Sequence, residues 1–206
     1  MEAAIDFIFR WAHVLFGITW IGMLYYFNFV QTEYFKEAEA DAKADAVKKL
    51  APRALWWFRW GAMFTFLTGL YLFHAIGALQ VAMPAIWVGA LAGTLMFLNV
   101  WLIIWPKQQV VIGLKEGDSA ASAAKAGLAS RNKTLLSGPL LFGLLASKHL
   151  PTQLSDGLGM WLCVLLILAL GANGVFGKTG PMTTVKGVIH SSIGLTVVVW
   201  ALLAFL

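Results

Sequence analysis

The chain has 206 residues, of which 60% are hydrophobic and only 12% charged, and its mean hydropathy is +0.77. Soluble domains carry roughly 25% charged residues, so a water-soluble globule is excluded. The net charge of +5 sits beside apolar runs and is not interleaved with aromatics, which argues against a nucleic-acid partner and for contact with anionic lipid.

In chain order, six apolar stretches approach the roughly 20 residues a crossing helix needs. They run from about Ile5 to Val30, Leu55 to Leu79, Met83 to Trp105, Leu135 to Leu150, Leu158 to Phe176 and Val185 to Leu206. The first is read as a retained helix and not as a cleaved leader, because no basic segment precedes it. The fourth is the weakest in apolar character and is extended backward into Ala129–Thr134. Pro52, Pro84, Pro106, Pro151 and Pro181 mark span edges, where proline is tolerated; Pro139, inside the fourth span, predicts a kink.

These stretches predict an all-α fold: a polytopic transmembrane bundle forming a single domain over residues 1–206. Two connections are long. Residues of about 33–52, rich in Ala, Glu and Lys, predict an interfacial amphipathic helix. Residues of about 107–133 form a second interfacial segment, with a separate helix expected at Ser119–Ala129. Lys36, Lys43, Lys48, Lys49 and Arg53 lie in the first long connection, and Lys107, Lys115, Lys125, Arg131 and Lys133 in the second. Basic residues accumulate on the cytoplasmic side, so both connections are expected there and both termini outside. The localisation expected is a bacterial-type inner membrane, with the lipid bilayer as first partner; a homo-oligomer stays open.

The only cysteine, Cys163, lies in an apolar run and supports neither a disulfide framework nor a thiolate metal site. No phosphate loop, zinc-protease helix or nucleophile elbow occurs. Four histidines remain, His13, His74, His149 and His190, each within or at the end of a span. An ionisable group at membrane depth is costly and marks function by default, against the blander role of hydrogen bonding a neighbouring helix. At 1.5 Å per residue, His13, His74 and His149 fall in the outer half and His190 in the inner. Two imidazoles on facing helices can hold haem iron axially. The expected pair is His13 with His149 or His74, although His13 and His149 differ in depth by about 10 Å. Arg10 is placed to meet a haem propionate or to anchor the interface. Second-site candidates are His190, Arg59, which snorkels or neutralises a buried anion, and Asn99, which otherwise bonds a neighbouring helix as Asn28 and Asn173 do.

The motifs RWAHVLFGITWIGMLYYFNFV (Arg10–Val30), NVWLIIWPKQQVVIGLKEG (Asn99–Gly117), SRNKTLLSGPLLFGLLASKHLP (Ser130–Pro151) and GVIHSS (Gly187–Ser192) resemble the membrane domain of the cytochrome c-type, membrane-bound urate oxidase (urate hydroxylase) family, in its small single-domain form. The first helix has a slighter likeness to membrane-bound protoporphyrinogen oxidase, whose first-helix histidine belongs to a haem-associated bundle. The resemblance implies His13 and His149 as ligands of haem b, and a redox protein passing electrons to a separate cytochrome c or respiratory-chain partner. It also leaves open urate or purine oxidation in the bundle itself, while a haem-free membrane subunit or transporter-like protein is the structural alternative. Full-length relatives carry a C-terminal cytochrome c domain; this sequence has no Cys-x-x-Cys-His and ends at Leu206.

Overall fold

The structure is a computed structural model that describes residues 1–80, 83–150 and 157–206. Pro151, expected at a span edge, lies outside the described residues. Among those residues there are helices and turns and no strand. Helix α1 (Glu2–Tyr25) passes through a π-helical turn (Tyr26–Gln31) into the short α2 (Thr32–Glu37). Helix α3 (Ala40–Asp45) and a second π-helical turn (Ala46–Leu50) lead into α4 (Ala51–Ala75). Helix α5 (Pro84–Asn99) continues through a third π-helical turn (Val100–Ile104) into α6 (Trp105–Val111). Helices α7 (Ser119–His149), α8 (Leu158–Phe176) and α9 (Val185–Phe205) complete the chain.

Local chemistry explains the starts of these helices. Pro52 and Pro84 sit in the first turns of α4 and α5, where a missing N–H costs nothing. The Asp118 carboxylate accepts from the Ala121 N–H at 3.0 Å, and the Thr184 hydroxyl from the Gly187 N–H at 2.9 Å; each satisfies an orphan donor of its helix. Asn173 ends α8 by bonding both backbone groups of Lys178.

Among the described residues, four continuous helical segments are long and apolar enough to cross a membrane: 2–37, 84–111, 158–176 and 185–205. Phe7, Ile18, Leu102, Leu165 and Val197 are exposed on them, the surface expected where lipid is the solvent. Helices α4 and α7 match them in length, but Arg53, Arg59 and His74 in α4, and Arg131, Asn132 and Lys133 in α7, lower their apolar character. Helix α7 lies inside the bundle, whereas α4 packs on α1 and leaves Trp56, Trp57, Leu67 and Leu70 exposed. Helix α7 is the hub, touching α1, α5, α6, α8 and α9.

Contacts set the direction of each helix. His13 meets Thr65, Trp20 lies against Gly61 and Phe27 against Phe58, so α1 and α4 run antiparallel. Stacking of Phe66 on Phe97 and the edge contact of Phe73 with Trp87 make α4 and α5 antiparallel too. Gly89 on α5 faces Leu140, Gly143 and Leu144 on α7, and Cys163 on α8 reaches Val199 on α9. The start of α1 and the end of α9 therefore lie at the same end of the bundle.

The helix expected at Ser119–Ala129 does not end before the fourth span. The two are one helix of 31 residues, because nothing between Asp118 and Gly138 breaks it: the interval holds no proline and one glycine, Gly127. Pro139 lies within this continuous helix, where the Gly138 N–H donates to the Ser192 hydroxyl of α9 at 3.2 Å.

Glycine allows the closest approach. A Cβ on Gly143 would stand 2.5 Å from the Ala85 carbonyl oxygen and 2.7 Å from the Gly89 nitrogen, so the backbones of α5 and α7 touch. Gly143→Ala should therefore destabilise the protein by about 1–3 kcal/mol through overpacking. Gly194→Ala on α9, where an added Cβ meets nothing within 4 Å, should be neutral or stabilise by up to about 1 kcal/mol. Unfolding midpoints in detergent compare the two; equal effects would show that α5 and α7 do not touch there.

Candidate functional site

The seam between α1 and α4 presents His13. Its Nδ1 lies 2.9 Å from the Thr65 carbonyl oxygen and 3.1 Å from the Thr68 hydroxyl. A carbonyl only accepts, so Nδ1 carries the proton and donates. The Thr68 hydroxyl is itself directed at the Phe64 and Thr65 carbonyls, and so accepts from the same N–H. The lone pair of the neutral ring is left on Nε2. Gly69 makes the seat: a Cβ there would approach His13 Cε1 to 3.1 Å.

The other histidines are placed differently. His74 near the end of α4, His149 at the end of α7 and His190 on α9 are exposed, and no hydrogen bond described here joins any of them to His13. Arg10 is exposed one turn before His13. Arg59 stacks its guanidinium 3.8 Å above the Trp105 ring, a cation–π contact that keeps a charge on α4 beside an aromatic face. Asn99 is buried at the end of α5, and Asn28 donates to the Leu24 carbonyl and the Ser130 hydroxyl. For an axial haem pair, the His13 seat fits one ligand, with its tautomer set and one nitrogen free. No second histidine is held in a comparable way among the described residues.

A polar stripe on α7 went unrecognised in the sequence. Arg131, Asn132, Lys133, Thr134 and Ser137 are all buried. Asn132 donates to the Leu170 carbonyl of α8 at 2.7 Å, and Ser137 meets the Tyr25 hydroxyl at 2.9 Å. Lys133 is 0% exposed; its Nζ has no hydrogen-bond partner and rests 4.3 Å over the Phe58 ring. Arg131 Nη2 is 3.9 Å from Glu33, and its Nη1 has no partner. Lysine and arginine at a loop edge read as topology signals. The backward extension of the fourth span into Ala129–Thr134 already takes in Arg131-Asn132-Lys133 but gives them no place in the bundle interior.

Beside Arg131 lies a cavity of about 780 Å³. The first π-helical turn brings Asn28 and Gln31 to its wall, α4 brings Leu55 and Phe58, the third π-helical turn and α6 bring Ile104 and Gln108, and Lys178 and Thr179 close another side. The first π-helical turn, a geometry that often accompanies functional sites, contributes Phe27, Asn28 and Gln31 to the cavity wall.

A buried ammonium with only an aromatic face for company is costly. Lys133→Met should raise the unfolding midpoint in detergent by the equivalent of about 1–3 kcal/mol. A lowered midpoint would mean that the ammonium is paired in the folded protein.

No curated protein and no solved structure matches the chain. A family match does: urate oxidase N-terminal, over residues 79–202. Three of the motif blocks, Asn99–Gly117, Ser130–Pro151 and Gly187–Ser192, fall inside the matched region, whereas Arg10–Val30 falls outside it and carries its likenesses by motif alone. The match spans more than half of the sequence, the α7 stripe included, and on that ground the chain belongs to the urate oxidase N-terminal family.

Proposed function

We propose that this member of the urate oxidase N-terminal family is a haem b redox protein of a bacterial-type inner membrane. It crosses the bilayer six times with both termini outside and passes electrons to a separate cytochrome or oxidase. The observation that carries the redox reading is the pose of His13. Metal-ligating histidines generally donate their second ring N–H to a carbonyl or carboxylate, which fixes tautomer and orientation. His13 does so toward Thr65.

In this reading His13 would hold the haem iron, together with His149 or His74. Iron held there supplies one-electron chemistry, with a potential tuned by its axial ligands and their surroundings. The protein's own part is positional. The Thr65 carbonyl holds the ring plane, Gly69 leaves room for it, and Arg10 meets a propionate at the outer surface. A second reading, oxidation of urate or a similar purine within the bundle, is favoured by the cavity beside Arg131, whose volume suits a small molecule.

The six crossings rest on the length of α4 and α7 and on α7 enclosing Arg131 and Lys133 within the bundle, as intramembrane ionisable groups do. The orientation rests on the basic residues of the two long connections.

Two measurements test these readings. Purified protein should show a low-spin haem b spectrum if both axial positions are filled, and His13→Ala should abolish it; a full, unchanged spectrum in that variant would remove His13 from the site. In intact cells, Ser119→Cys should resist a membrane-impermeant thiol reagent and react after permeabilisation. Labelling from outside would reverse the orientation.

A further inference from the structure

We propose that the cavity beside Arg131 is a binding site for a small planar organic anion, held by the Arg131 guanidinium and by the Gln31 carboxamide oxygen. The inference deepens the second reading above, the one that places chemistry on a small molecule inside the bundle, and it is tested by binding alone.

The charge pattern comes first. Arg131 and Lys178 line the cavity, and no aspartate or glutamate does. The nearest carboxylate, Glu33, stands 3.9 Å from Arg131 Nη2. Both oxygens of Glu33 are also held at 2.8 Å by Lys36, so its single negative charge is shared between two cations and the cluster stays net positive. The Arg131 side chain is only 8% exposed and its Nη1 has no partner. The buried and unpaired Lys133 Nζ lies 4.3 Å from the ring of Phe58, a cavity-lining residue. A buried guanidinium without a buried anion is expensive in a low-dielectric interior. A negative ligand in the cavity offsets that cost.

The hydrogen-bond pattern narrows the class. Guanidinium offers parallel N–H donors matched to the oxygens of a planar anion. Gln31 Oε1 is buried and also lacks a partner. It can only accept, so it asks for an N–H or O–H on the same ligand. Phe27, Phe35 and Phe58 supply aromatic walls, against which a flat ring can lie. A volume of about 780 Å³ is within the range of small-molecule sites. The ligand is thus a flat anion bearing a hydrogen-bond donor near its anionic oxygens.

The test uses the full chain in phosphatidylcholine nanodiscs, with two probes read by quenching of intrinsic tryptophan fluorescence. Urate is planar, anionic and carries N–H donors; benzoate is planar and anionic without one. Both should bind saturably. Arg131→Gln should weaken both about tenfold or more, the loss of one charge-assisted hydrogen bond. Gln31→Leu should weaken urate and leave benzoate within twofold, a split that a general loss of structure would not produce. Arg131→Lys keeps the charge and loses the fork, and should fall between wild type and Arg131→Gln; it serves as the folding control. Overturning results are affinities unchanged in both Arg131 variants, or no binding of either probe while phosphatidylglycerol added to the nanodisc quenches the fluorescence of wild type but not of Arg131→Gln, which would make the cavity a lipid headgroup site. Urate binding that depends on Arg131 without any urate-driven reduction of added cytochrome c would leave the site standing and remove the oxidation reading.

Discussion

The contact on which the rest depends is the backbone approach of α5 and α7 at Gly89 and Gly143. Lipid is as apolar as leucine, so helices in a membrane gain little by burying apolar side chains against each other; close packing at small residues takes over that role. With no Cβ on either side, the two helices touch through their main chains. Other glycines repeat the device around α7: Gly138 faces Ser192 and Thr196 of α9, and Gly174 on α8 faces Asn132. Surrounded by such contacts, α7 becomes the axis of the bundle, and its polar residues are enclosed by necessity.

Enclosure gives those residues their meaning. Asn132, Ser137 and the Asn28–Ser130 pair find hydrogen-bond partners on neighbouring helices, the usual fate of polar groups at membrane depth. Arg131 Nη1 and Lys133 Nζ find none. The same helix therefore carries both the cross-links that hold the bundle together and two cations that destabilise it. Stability favours removing the cations. Of the two, only Arg131 lines the cavity.

The His13 seat and the Arg131 cavity occupy different parts of the molecule. His13 and Asn28, which mark them on the first helical segment, are separated by about 22 Å of helix at 1.5 Å per residue. A ligand in one does not touch the other. A redox group at His13 and an anion at Arg131 would form two stations joined by the α1–α4 seam, whose packed rings include Phe16 against Phe64, Trp60 against Phe64 and Phe27 against Phe58.

Much of the architecture was legible in the residues themselves. Long apolar runs identify membrane-type helices because the bilayer demands length and satisfied backbone groups, and the run read from Met83 appears as a helix starting at Pro84. His13 stood out because an imidazole among Val, Leu and Phe is costly. Tertiary structure alone decided the remainder. Whether Arg131 and Lys133 lie in an interfacial connection or inside the bundle depends on the rotation and neighbours of α7, which hydropathy does not encode. The partner of His13 is a main-chain carbonyl on α4, and a carbonyl has no side-chain signature at all. The cavity is enclosed by side chains from segments up to about 150 positions apart, Phe27 to Thr183, and its chemistry exists only once close glycine contacts have drawn those segments together.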